Sequence, residues 1–128
     1  VSSNRHISAF ATRDKKRITI VVTNFQHDKV FNEGEPYTVA LDIKPQWRSK
    51  AGITLKHWRI DKDHSNAYTA FKALGSPVLP NPFEIDAIKS KMDLELLEPE
   101  QRTTVENLTE LEFDLPCNGV SLVEITRN

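Results

Sequence analysis

The chain is expected to be mainly β: an antiparallel sandwich of about seven strands, with a two-helix insertion between the fourth and the fifth. Three observations predict this. Alternating or β-branched segments recur in both halves of the sequence, turn-forming clusters separate them, and between Ser65 and Met92 the apolar period changes from two to three or four. Strand after strand without a helical crossover favours antiparallel pairing and face-to-face packing.

The elements follow in order. "HISAFAT" (residues 6–12) is a short strand, ended by "RDKKR", in which Asp14 offsets Arg13, Lys15, Lys16 and Arg17 at a hairpin turn. "ITIVVTNF" (18–25) has the β-branched content of a buried strand. A loop marked by Asn32, Gly34 and Pro36 leads to "YTVALDI", where Tyr37, Val39, Leu41 and Ile43 face one way and Thr38, Ala40 and Asp42 the other. "ITLKHWRI" (53–60) is the fourth strand. "SNAYTAFKALGSP" is a short helix that Ser65 or Asn66 can cap and that Gly75 and Pro77 end, with Ala67, Phe71 and Leu74 as its apolar stripe. In the next helix Asn81 is the N-cap, Pro82 the first residue and Glu84 the partner of a capping box, and Ile85, Ile88 and Met92 line one face. Strands return at 103–107, at 108–115, with Leu111, Phe113 and Leu115 inward and Glu110, Glu112 and Asp114 outward, and at 119–126.

Composition narrows the function. A chain of 128 residues that is 38% hydrophobic and 27% charged has the makeup of one folded domain, residues 1–128, with a real core. A net charge of -1 and a pI of about 6.5 give no field to gather nucleic acid or an anionic membrane surface. No apolar run approaches the roughly 20 residues that span a bilayer, so the chain is expected to be soluble. Val1 begins the chain and its single methionine is the internal Met92, so it is expected to be a piece of a longer or processed polypeptide. No targeting signal is legible, and the compartment is left open. Cys117 is the only cysteine, which rules out a disulfide within the chain and points to a small packed residue near a turn.

Chemistry-bearing residues concentrate in "RIDKDHSNAY". Asp61, Asp63 and His64 have ligand chemistry for a divalent cation, but the stretch lacks the glycine and the downstream glutamate of a calcium loop. Asp61, Asp63, His64, Ser65 and Asn66 are better explained as turn and cap residues, which a chain leaving a strand for a helix needs. None of the four histidines pairs with another at metal-ligand spacing, and His57 reads as packed or surface-exposed. No phosphate-binding glycine loop or nucleophile elbow is present, so no catalytic residue, metal or cofactor is assigned. Trp47, Trp58, Tyr68 and Phe71 are the aromatics that an oligosaccharide or a protein interface could use. "NLT" at Asn107 matches a glycosylation acceptor, a motif short enough to arise by chance.

The stretch "RIDKDHSNAYTAFKALGSPVLPNPFEIDAIK", with "LPCNGVSLVEI" and the opening "ISAFAT" and "ITIVVTNF", resembles the region after the catalytic barrel in glycoside hydrolase family 39. That family includes β-xylosidases and α-L-iduronidase. The resemblance runs from about His6 to Arg127 and is most specific from His64 to Pro77. It implies a sandwich domain with a helical excursion (65–92) that follows a (β/α)8 barrel carrying the two catalytic glutamates of a retaining glycosidase. Neither glutamate has a counterpart here. The chain is therefore expected to be a non-catalytic accessory domain whose partner is its own barrel. Homo-oligomer contacts and an oligosaccharide are further partners, and a carbohydrate-binding module built on the exposed aromatics is the alternative.

Overall fold

The computed structural model describes residues 6–29, 34–108 and 110–128. Alternation builds the larger of two sheets. Strands β1 (Ile7–Arg13), β2 (Arg17–Asn24), β8 (Val120–Arg127) and β4 (Gly52–Ile60) lie side by side in that order, every pair antiparallel. Two short strands, β5 (Glu95–Leu96) and β6 (Gln101–Thr104), pair with successive parts of the far edge of β4. A second sheet of two strands, β3 (Tyr37–Leu41) and β7 (Leu111–Leu115), covers one face of the first. The two helices, α1 (Ala67–Ala73) and α2 (Pro82–Lys89), fall between β4 and β5.

Among the described residues eight strands form where about seven are expected; the additional one is the two-residue β5. The strand expected at 103–107 runs instead over Gln101–Thr104 and gives way to a single 3-10 turn, Val105–Asn107. The reason is a change of partner: the amides of Val105 and Glu106 donate to Ala51 and Ser49, so the backbone follows the loop before β4 and leaves the strand itself. The strand expected at 108–115 starts at Leu111. Asn107 is exposed, while Thr109 of its acceptor motif, like residues 30–33 of the loop before β3, lies outside the described residues.

The β1–β2 hairpin turns as its sequence predicts. Asp14 Oδ1 accepts from the amides of Lys16 at 2.8 Å and Arg17 at 2.9 Å, and these bonds hold its carboxyl below the usual carboxylate range. Period-two packing then forms the core. Ile20 and Val22 of β2, Val123 and Ile125 of β8, and Ile53 and Leu55 of β4 meet Val39 and Leu115 from the smaller sheet. Cys117 is buried beside the turn before β8.

The inward face is not apolar throughout. Along β4 the buried series runs Ile53, Leu55, His57, Arg59 and continues to Asp61; along β8 Val123 is followed by Ser121; along β2 Val22 is followed by Asn24 and, beyond the strand, Gln26. One end of the sandwich is hydrocarbon and the other is hydrogen-bonded. Asn24 Nδ2 donates to the carbonyls of Glu35 and Leu115, both at 3.0 Å, and Gln26 Nε2 to Asn24 Oδ1 at 2.9 Å, so side chains join the strands where no ladder does. Among the described residues, no helix is long and apolar enough to cross a membrane.

Ile53 is fully buried in the apolar half. Ile53→Ala should lower the free energy of unfolding by about 2–5 kcal/mol, as a cavity does at such a site, read as the midpoint shift in urea.

Candidate functional site

The stretch from Arg59 to Tyr68 is a strand end, a turn and a helix start, and its side chains are used for fastening. Asp61 is only 5% exposed. Its Oδ1 accepts from the amides of Asp63 at 2.8 Å and His64 at 2.9 Å, and lies 2.8 Å from His64 Nδ1. Burial pushes the Asp61 carboxyl up, but the His64 ring bond and the two amides outweigh it and hold it below its ordinary value. Asp63 is exposed and gives the turn only its amide, so it is not a cap.

Asn66, and not Ser65, caps α1: its Oδ1 accepts from Thr69 N at 3.1 Å, while its Nδ2 donates to Asp61 O at 3.1 Å. Ser65 sits at a φ of 52°, in the left-handed region, and is held there by three bonds. Its hydroxyl donates to Arg59 O at 2.9 Å and accepts from Glu95 N at 2.7 Å, and its amide donates to Glu95 Oε1 at 3.0 Å. The start of the excursion is thereby clasped to its end. At the other end of α1, Gly75 N donates to Lys72 O and Ser76 N to Phe71 O, a Schellman closure with Gly75 at a φ of 82°. The capping box of α2 forms as its sequence predicts, with Glu84 N donating to Asn81 Oδ1 at 2.9 Å and Asn81 N to Glu84 Oε1 at 3.0 Å.

Behind this turn lies a network not anticipated from the sequence. Arg59 donates from Nε to Ser121 Oγ at 3.0 Å and from Nη2 to Asp114 O at 3.0 Å, and its Nη1 is 3.5 Å from Asp61 Oδ2. His57 Nε2 is 2.8 Å from the same Ser121 Oγ. Phe113 covers both, its ring 4.7 Å from that of His57 and 5.8 Å from the guanidinium. His57 Nδ1 is buried without a hydrogen-bond partner, 3.8 Å from Glu98 Oε1. Burial, reinforced by the neighbouring Arg59 charge, pushes the His57 pKa down to about 4. The signal was present in the spacing, since His57, Arg59 and Asp61 continue the period-two series of Ile53 and Leu55.

A serine oxygen 2.8 Å from an imidazole nitrogen has the spacing of a nucleophile and its base. The site does not have the access: Ser121 is 0% exposed and its oxygen already takes a bond from Arg59. No substrate atom can approach, so the pair binds the two strands together. Among the described residues, no three of His, Cys, Asp and Glu gather in a way that could hold a metal ion.

The four aromatics are dispersed. Trp47, in the loop after β3, packs against the core; Trp58 is half-buried on the outer face of β4, with the Lys56 ammonium 5.9 Å from its ring. Phe71 is half-buried on α1, and Tyr68 is 66% exposed. The excursion carries the largest apolar exposure: Val78 is 93%, Leu79 89% and Phe83 85% accessible, and neither helix has a buried residue. Met92, expected to share one face of α2 with Ile85 and Ile88, lies beyond the end of the helix and is exposed.

Exchanging Asp61 for alanine should cost about 2–4 kcal/mol of stability in urea, because buried donors and the Arg59 charge lose their acceptor, whereas Asp63→Ala should stay within about 0.5 kcal/mol. His57 adds a pH dependence. Its folded pKa is depressed, so between the ordinary value of 6.5 and about 4 the unfolded chain binds the additional proton. Stability should fall by about 2 kcal/mol from pH 7 to pH 5, and urea midpoints of His57→Gln should lack that component.

No family model matches the chain, and no curated protein sequence matches it. Solved structures do. A monomeric β-xylosidase from Caulobacter crescentus CB15 superimposes over 93% of this chain and 26% of its own, with a TM-score of 0.75 and 20% identity. A bacterial orthologue of human α-L-iduronidase matches over 95% of this chain and 22% of its own, with a TM-score of 0.80 and 15% identity. A family 39 glycoside hydrolase from Xanthomonas axonopodis pv. citri matches over 98% and 26%, with a TM-score of 0.72 and 14% identity. The chain spans about a quarter of the length of these structures and has the fold of one part of family 39 glycoside hydrolases, as the resemblance centred on residues 59–89 implied.

Proposed function

We propose that this chain is a non-catalytic accessory domain of a retaining, β-xylosidase-like glycosidase, and that it packs on and stabilises the catalytic barrel of its parent polypeptide. One observation carries the reading. An excursion of two short helices holds Tyr68, Val78, Leu79, Phe83 and Met92 in water, each at least 65% accessible. A patch of that kind marks a surface built to be covered. The solved structures that share the fold are about four times as long, so a covering domain in the same polypeptide is the natural occupant.

The polar centre favours the same reading. Its one nucleophile-like pair is sealed in the core, and its carboxylate is spent on a turn. The alternative, an oligosaccharide-binding module, has less behind it: Trp47 is packed on the core, Trp58 lies on the outer face of β4, and Tyr68 and Phe71 are on α1.

The expected result is specific to context. Phe83→Asp should leave the melting temperature of the isolated chain within about 1 °C, because the side chain is already in water. In the full-length parent the same change should lower Tm or split the transition in two, read by scanning calorimetry. An unchanged parent would mean that the excursion does not face the barrel.

A further inference from the structure

The two sheets do not match in width. Strands β2, β8 and β4 each bury an alternating set of side chains beneath the smaller sheet. Strand β1 belongs to the same large sheet and pairs with β2 in register from Ile7↔Asn24 to Arg13↔Ile18. Yet none of its residues is buried, including Ile7, Ala9 and Ala11, which face inward beside Asn24, Val22 and Ile20. The cover stops one strand short.

What lies there is a trough. Its floor is Ile7, Ala9, Ala11, Ile20 and Val22, its wall is formed by the run from Tyr37 to Ile43, and its volume is about 560 Å³. It continues past Ala11 and Ile43 into a second hollow of about 930 Å³ beside Trp47. Val39 of β3 packs in one cluster with Ile20 and Val22, and those two residues line the trough together with Tyr37 to Ile43, so β3 stands over β2. Neighbouring strands are spaced about 4.8 Å apart, which puts the next position in the smaller sheet above β1.

The wall is an open sheet edge. Among the described residues, β3 pairs only with β7, so alternate amides and carbonyls of Tyr37–Leu41 face the trough. Exposed edges are ordinarily blunted by lysine, proline or a bulge, and "YTVAL" carries none of these. Its alternation of inward Val39 and Leu41 with outward Thr38 and Ala40 gives the strand one buried face and leaves its backbone edge beside the trough.

We propose that one further β-strand, supplied by the parent polypeptide outside these 128 residues, fills the trough and pairs with the free edge of β3. The inference rests on the reading that the chain is a domain of a longer glycosidase. The strand should be extended and alternating, with apolar side chains large enough to fill the space left by Ala9 and Ala11. A second copy of the chain does not fit. Pairing β3 with β3 would bring in the other copy's large sheet, whose β1 also projects beyond its own β3, and the two β1 strands would claim the same layer. A lone strand has no sheet beneath it and meets no such clash. The structures that share the fold have roughly three-quarters of their length outside the match, ample chain to provide it.

Hydrogen exchange on the full-length parent tests this, combined with hydroxyl-radical labelling of Tyr68 and Phe83. All five amides of Tyr37–Leu41 should exchange at least about 100-fold more slowly than open chain. Alternate fast amides along β3 would overturn the inference; if Tyr68 and Phe83 are shielded in that experiment, the barrel reading stands without it. Five slow amides with Tyr68 and Phe83 labelled as free side chains would keep the strand and overturn the barrel reading. Protection lost on dilution would identify a second copy and overturn the inference. As a check on the floor, Ala11→Glu should lower the parent's Tm while Ala11→Ser leaves it nearly unchanged; equal Tm values for both would show an empty trough.

Discussion

The guanidinium of Arg59 joins three parts of the molecule. It donates to Ser121 of the neighbouring strand and to the Asp114 carbonyl of the opposite sheet, and it faces Asp61 at the root of the excursion. Burial lowers its pKa, opposed by the Asp61 carboxylate. A buried cation of this kind is stable only when its donors are used, and here a hydroxyl, a carbonyl and a carboxylate use them. The bond to Asp114 ties the two sheets together at this end, with the Phe113 ring beside the guanidinium. At the apolar end the two sheets meet through hydrocarbon packing.

The excursion depends on the same centre. Helices of seven and eight residues with no buried side chain fall well short of the length at which isolated helices persist in water. They are held by their ends: Asn66 and the Schellman closure on α1, the capping box on α2, and the Ser65–Glu95 clasp that returns the chain to β5. Asp61 completes the chain of fastenings by setting the turn that aims Asn66. The excursion is thus held at its base, and its apolar tip is exposed.

Much of this was legible in the sequence, and the limits have physical causes. The strands at 18–25, 37–43 and 53–60 and the Asn81–Glu84 box are local patterns, and they formed within a residue or two of expectation. The β5 strand and the 3-10 turn at Val105 could not be read, because each depends on a partner distant in the chain. Ser65 was an equal candidate for the cap; its left-handed φ follows from the contact with Glu95, thirty positions away. The network of Arg59, His57 and Ser121 was missed for another reason. Arg59 read as a strand end, His57 as packed or surface-exposed and Ser121 as one residue of the closing strand, when all three continue the buried face of their strands.

The division of the interior into a dry end and a hydrogen-bonded end has a consequence for how the chain finds its pairing. A sheet whose inward face is apolar throughout can slide two residues along a neighbour and lose little, since hydrocarbon meets hydrocarbon again. Here Arg59 lies opposite Ser121, and His57 opposite Val123. A two-residue slide of β4 would carry the guanidinium in among Val22, Val123 and Ile20 with no acceptor in reach, at the cost of an unpaired buried charge. The charge therefore acts as a stop against misaligned pairing: it penalises near-native alternatives far more than it stabilises the native alignment.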